Sequence, residues 1–580
     1  MAPTINKNTL TLLFTFFASV QSAETVWSVF AYVNHGERTP LRDLAIGDGS
    51  LTPLGAQQMF SQGSLLRNRW LINTTQSDTD SNNTDNAPIA AVGTAAIDNN
   101  QLSIWTTRDD HITAGAQAFM QGLYPPKTRN FADANGGIAA AMLANGSVVD
   151  FPLGGYMYPN FRTLSLSDTE SVWLEGHTAC TEYWRSTSNL KSNPRMTQVF
   201  DDSLPEYQLL WSTVFNGTFP ANAASFYYAY DLYEYAAYHY IHNSTIRNTL
   251  DINQLKWLRD FANIQQFSLN GDLTASGRKD GDMIRAIAGR TLSAKVVSQF
   301  QQLVLLKGGA PQINLMFGSF QPMLSFFSLS ELSTGHSSGL FQEIPGFGGA
   351  MIFELFSEGT DATRFPDTDD LWVRFLYRNG SSEENPIYEY PLFSHGNSET
   401  RIKYRDFVSG IREFSINNIP AWCTACDAVN FFCSASRAAS GGSTSSHNHK
   451  NLDLSPAAAG AIGAAIAIAI GAVAAVLLFV FGFGIQRRSS GRNSVFGGFR
   501  GQEKMASDRD VSITKSGAKH ERVGSWELGA GTSSGPTDGP SMGITKGSEP
   551  VIGATHLRDI DDDGDSLDIG RQPIKPHETV

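Results

Sequence analysis

Residues 34–40 read Asn-His-Gly-Glu-Arg-Thr-Pro, which sets a histidine and an arginine three positions apart around a glycine. An imidazole can attack phosphorus, and guanidinium donors can grip phosphoryl oxygens in pairs. His35 and Arg38 are therefore candidates for a nucleophile and an oxyanion ligand. A histidine in a strand-to-loop turn beside an ordinary surface arginine has the same local sequence, and the heptapeptide favours neither reading. The element that must present it comes just before: residues 26–33 (VWSVFAYV) are β-branched and aromatic and of strand length. Further strand-like runs fall at 312–317, 349–355 and 372–377, separated by longer helical or mixed stretches, a pattern that predicts an α/β fold.

The chain has 580 residues, 41% hydrophobic and 17% charged, with a net charge of −13. A charged fraction below the usual value of about 25% points to segments that never meet water. No excess of Lys and Arg exists to neutralise phosphates, so a nucleic-acid partner is excluded. The 10 Trp, 17 Tyr and 36 Phe exclude wholesale disorder. Residues 1–23 carry one charge, Lys7, then an uncharged run and the small residues Ser22 and Ala23, the layout of a secretory signal peptide. Residues 457–485 lack charged and strongly polar side chains, and a bilayer core needs about 20 apolar residues, so this run is expected to be a single transmembrane helix. Arg487, Arg488 and Arg492 follow and place the C-terminal side in the cytoplasm.

The expected organisation is a signal peptide (1–23), an ectodomain (24–433), a Ser/Gly-rich stalk (434–456), the span (457–485) and a disordered tail (486–580) with no identifiable partner. Such a chain is a single-pass type I membrane protein with its ectodomain extracellular or lumenal. Glycosylation signals at Asn73, Asn82, Asn145, Asn216, Asn243 and Asn379 all lie before the span. So do the four cysteines, Cys180, Cys423, Cys426 and Cys433, on the side where disulfides persist. Four cysteines allow three pairings, and the sequence does not choose among them. Cys-x-x-Cys at 423–426 has no second ligand pair at zinc spacing. The acidic tract 559–568 has Gly570 where a calcium loop needs Glu, so no metal site is expected.

Residues 35–40 resemble the signature of the histidine acid phosphatases, Arg-His-Gly-x-Arg-x-Pro. The likeness continues through residues 51–58 (LTPLGAQQ), 104–107 (IWTT), 116–125 and 313–317 (INLMF). Residues 422–433 are similar to the ending of fungal members, so the resemblance spans roughly residues 26–433. It implies a sheet flanked by helices with a smaller, mainly helical insertion. It also implies phosphomonoester hydrolysis through a phosphohistidine at acidic pH, without metal or cofactor. By position His35 is the nucleophile and Arg38 a phosphate ligand.

Where the signature begins with Arg this chain has Asn34, and a further phosphate-binding Arg falls on His111. The His-Asp pair that binds phosphate and protonates the leaving group falls on Gly318-Ser319. At about 1.5–3 kcal/mol per charge-assisted bond, two lost guanidinium groups cost on the order of 10²–10⁴ in rate. A missing general acid costs about another 10²–10⁴ for alkyl leaving groups. Arg108, Glu37 and Glu354 are the candidates for compensation. The expectation is a catalytically impaired homologue, a pseudoenzyme, that binds inorganic phosphate, a phosphorylated small molecule or a partner. The alternatives are an active acid phosphatase working through His35, and a surface scaffold.

Overall fold

In β1 (Glu24–Asn34), Val29, Ala31 and Val33 join one hydrophobic core while Phe30 and Tyr32 join another, and all five are fully buried. Side chains alternate across a strand, so a run that is apolar at every position belongs in the middle of a sheet covered on both faces. In the computed structural model β1 occupies that place. The structure describes residues 24–439 apart from 44, 47–48, 73–85, 189, 191–192, 336, 360 and 397. The expected signal peptide, the sequons at Asn73 and Asn82, most of the stalk, the 457–485 span and the tail lie outside these residues. Among the described residues no helix is long and apolar enough to cross a membrane.

The other strands are β2 (Leu102–Thr107), β3 (Phe161–Leu164), β4 (Ile313–Gly318), β5 (Ala350–Glu358), β6 (Leu371–Arg378), β7 (Tyr388–Tyr390) and β8 (Arg401–Lys403). They form one mixed sheet in the order β3-β2-β4-β1-β5-β6-β7, with β8 also on β6. The four strand-like runs of the sequence overlap β1, β4, β5 and β6, with ends that agree to within three residues. The principal helices are α1 (Pro53–Trp70), α2 (Asp110–Leu123), α3 (Pro194–Leu210), α4 (Ala229–His242), α5 (Ile252–Asn270), α6 (Ile287–Leu305), α7 (Gln321–Leu329), α8 (Tyr404–Phe414), α9 (Ile419–Cys426) and α10 (Phe431–Ala439).

Helices α1 and α2 cover the Val29–Ala31–Val33 face, and α6, α7 and α8 cover the Phe30–Tyr32 face. This is the helix-flanked α/β sheet that the sequence predicts. Between β3 and β4 the described residues hold only helices and turns, and α3, α4 and α5 share a separate core that includes Tyr207, Leu210, Leu232, Tyr235 and Leu258. Thr52 starts α1: its hydroxyl accepts from the Gly55 amide at 2.9 Å, with Pro53 in the first turn, where its missing N–H costs nothing.

Two disulfides, Cys180–Cys426 and Cys423–Cys433, select one of the three possible pairings. The first closes a loop of 246 residues, which by chain-entropy arithmetic is worth roughly 5 kcal/mol. It ties the end of the fold to the start of the helical region. The folded part extends past the expected boundary at 433: α10 continues to Ala439, so the first residues of the predicted stalk are helical.

Two buried ionisable groups contribute to the pH response of the fold. His177 lies against Tyr183 near the disulfides, and burial pushes its imidazole down to about 4. Glu354, in the middle of β5, is raised by burial but held at about 2 by Arg69 and Arg374, with Trp70 donating to the same carboxylate. An imidazole buried neutral favours the unfolded state once the unfolded chain takes up a proton. Stability from His177 is therefore complete above about pH 6.5 and is lost as pH falls towards 4, a change of about 3 kcal/mol. The Glu354 contribution persists through that window and is lost only between about pH 4.5 and 2. Thermal melts of His177→Phe are expected to show a clearly smaller loss of Tm between about pH 6.5 and 4 than wild type. An unchanged pH slope would contradict the assignment.

Candidate active site

Strands β1, β2, β3 and β4 are mutually parallel, so their carboxyl ends share one edge of the sheet. Open α/β sheets bind ligands in the crevice outside such an edge. Here β1 passes directly into His35. Its main chain is held from both sides, the His35 amide donating to Gly318 O at 3.1 Å and the Gly348 amide donating to His35 O at 2.9 Å. Gly348 does this with a φ of +69°, a conformation that a side chain would strain. The Gly346-Phe347-Gly348 stretch is thus a turn that supports the site, with the Phe347 ring 5.7 Å from that of His35.

The next residues are pressed onto the start of α1. A Cβ on Gly36 would lie 2.3 Å from Gly55 O, and one on Gly55 would lie 2.0 Å from Glu37 O. The two glycines allow backbone to touch backbone. Thr52, the cap of α1, donates its hydroxyl to Glu37 Oε2 at 2.6 Å, and Thr39 and Ser50 pair through the main chain.

This framework orients the imidazole. His35 Nδ1 lies 2.8 Å from Gly36 O, and a carbonyl only accepts, so Nδ1 carries the proton and Nε2 the lone pair. The His111 ring, on the first turn of α2, stands edge-on to His35 with centroids 4.8 Å apart. Arg38 is close by: a Cβ on Gly49 would be 3.9 Å from both Arg38 Cδ and His111 Nδ1. All three side chains are buried. The Arg38 guanidinium donates to Glu234 Oε1 at 2.7 Å and to Thr39 O at 3.1 Å.

The structure brings together His35, Arg38 and His111, and corrects one other assignment. Asn34 is not presented to a phosphate. It lies on the Tyr32 face of β1, and its side-chain amide donates to Pro345 O and Gly346 O at 3.1 and 3.2 Å. Gly318 pairs with Asn34 in the β1–β4 ladder and therefore shares that face. A Cβ there would lie 2.1 Å from Tyr32 Oη, which donates to Ser319 O at 2.9 Å. Position 318 thus has no room for an imidazole, and the buried hydroxyl of the next residue, Ser319, has no hydrogen-bond partner among the described residues.

Compensation is limited as well. Glu354 pairs with Val29, six residues before His35 and about 20 Å away along the strand, and is fully committed to its arginines. Arg108 is exposed. Glu37 is buried and faces Thr52 and His242. Of the described sequons, Asn145 and Asn216 are exposed, Asn243 caps a short helix, and Asn379 accepts from the Gly346 amide at 2.8 Å.

The acidic and histidine residues of α4 that meet the His35 loop escaped sequence reasoning. Glu234, His239 and His242 contact residues 193–205 positions earlier. The signal was nonetheless in the sequence: charged and histidine positions 231, 234, 239 and 242 recur at helical spacing in a helix otherwise rich in tyrosine.

No protein-family model matches the chain, and no curated protein matches it. Solved structures similar to it include the phytase of Citrobacter braakii, 13% identical over 69% of this chain and 99% of that one, with a TM-score of 0.42. The phytase of Klebsiella sp. is 11% identical over 68% and 95%, with a TM-score of 0.44. The multiple inositol polyphosphate phosphatase of Bifidobacterium longum is 14% identical over 69% and 95%, with a TM-score of 0.36.

The backbone contact between Gly55 and Glu37 generates a direct expectation. Gly55→Ala places a methyl group where no side chain can yield, and such overpacking costs about 1–3 kcal/mol or more. Denaturant unfolding of this variant is expected to show that loss, and a change below about 0.5 kcal/mol would refute the contact.

Proposed function

We propose that the cluster of His35, Arg38 and His111 is an oxyanion site of histidine-phosphatase type that binds a phosphorylated small molecule or inorganic phosphate and is impaired in catalysis. The observation that carries this reading is His35 itself. A backbone carbonyl orients its ring, and a buried guanidinium and a second imidazole lie beside it, at the carboxyl edge of parallel strands. Impairment is supported by the fate of the remaining positions. The Asn34 amide is turned to the glycine turn, Ser319 offers a hydroxyl in place of an acid, and the Arg38 charge is already met by Glu234. Phosphoryl transfer rests on positioned charge more than on covalent chemistry, so these losses fall on the transition state.

One feature favours the second reading, an active acid phosphatase: protonation at Nδ1 leaves the Nε2 lone pair as the attacking end. In either case the protein is read as a membrane-anchored glycoprotein, with its signal, span and sequons placing the folded part in a lumenal or extracellular space. Disulfide pairing of all four cysteines supports that placement.

The two readings separate on hydrolysis of p-nitrophenyl phosphate by the full-length, detergent-solubilised protein across about pH 3–7. The expected outcome is a rate no higher than that of His35→Ala, together with a phosphate-dependent rise in Tm that Arg38→Ala removes. Turnover that His35→Ala abolishes would establish the active reading instead. Absence of any phosphate effect on Tm would remove the oxyanion site.

A further inference from the structure

The seam between the His35 loop and α4 is built from charge. Asp231, Glu234, His239 and His242 fall at intervals of three, five and three residues, which sets them on one face of α4. Opposite them, Arg42 lies 3.4 Å from Asp231, Asp43 2.7 Å from His239, and Glu37 3.0 Å from His242. Glu234 stands apart because its partner is the phosphate-ligand candidate. Its Oε1 takes Arg38 Nη2 at 2.7 Å, while its Oε2 accepts from the Leu41 main-chain N–H at 3.3 Å. A guanidinium and a backbone amide converging on two oxygens of one anion are the donors that bind carboxylates and phosphates. The side chains are 1% and 8% exposed, so this is a desolvated pair and not a surface contact of little worth.

We propose that Glu234 is a tethered anion that occupies the oxyanion seat of the His35 site, and that a phosphate or phosphomonoester binds by displacing it. The inference deepens the oxyanion reading given above and rests on it. It also names the ligand class. A monocarboxylate replaces Glu234 like for like and gains nothing, because the tethered group needs no capture from solution. A phosphate dianion brings more charge and more acceptor oxygens to Arg38 and the adjacent His111. The resting protein is thereby selective for dianions and weak for all of them, since part of the intrinsic affinity is spent on displacement.

Isothermal titration of the full-length protein with inorganic phosphate, and separately with acetate, tests this. Both Glu234→Gln and Glu234→Ala are expected to bind phosphate at least about ten-fold more tightly than wild type. The gain is expected to vanish when Arg38→Ala is added. Acetate, without effect on wild type, is expected to raise the Tm of Glu234→Ala saturably by filling the vacated seat. Glu234→Gln keeps an oxygen for the Leu41 amide, so it serves as the folded control if the alanine variant unfolds. Phosphate affinity unchanged within about two-fold in both variants, with wild-type binding still dependent on Arg38, would overturn the tethered anion and leave the oxyanion site standing. Absence of phosphate binding in every form, the glutamate variants included, would overturn both.

Discussion

A guanidinium cannot lose its proton at physiological pH, so burying one obliges the fold to supply an anion. Arg38 is buried at the carboxyl edge of the sheet, and the anion it receives comes from α4, a helix of the separate helical region. That single requirement draws the insertion over the His35 loop. Once α4 lies there, the neighbouring groups also need partners, and the Asp43–His239 and Glu37–His242 pairs meet that need along the same helix face. Charged pairs thus line the seam beside the site, while the sheet and the helical region each have their own apolar cores.

The other side of the loop is governed by steric closeness. Gly36 and Gly55 let the chain touch the start of α1, and the Gly348 turn receives the His35 carbonyl. His35 is therefore fixed by main-chain contacts, and the hydrogen bond between Nδ1 and Gly36 O helps to orient its ring. Close backbone packing on one side and charged pairs on the other give different consequences for change on the two faces. Altering the packing disturbs folding, whereas altering the pairs changes which anion sits on Arg38.

Much of the framework was legible in the sequence. The β-branched and aromatic run before Asn34 read as a strand, and so did the runs that overlap β4, β5 and β6, because strand propensity acts within a few residues. The side from which each side chain is presented was not legible. Asn34 read as a site position by counting along a motif, yet strand alternation in β1 puts it on the Tyr32 face, where its amide meets Pro345 and Gly346. Glu354 read as an available carboxylate, yet strand register sets it beside Val29 with Arg69 and Arg374 around it. The end of the folded region was likewise misplaced: composition turns to Ser and Ala at 434, but those residues continue the helix that carries Cys433.

The sequence by itself determined local matters: that the runs at β1, β4, β5 and β6 are strands, and that His35 and Arg38 have the chemistry for an oxyanion. These follow from strand propensity and residue type, both short-range properties of the chain. The tertiary structure alone decided the disulfide pairing, the turning of Asn34 away from the site, and the arrival of Glu234 at Arg38. Each of these depends on which groups become neighbours across separations of up to some 300 residues. Charge and hydrogen bonding act over a few ångströms of space with no regard for distance along the chain.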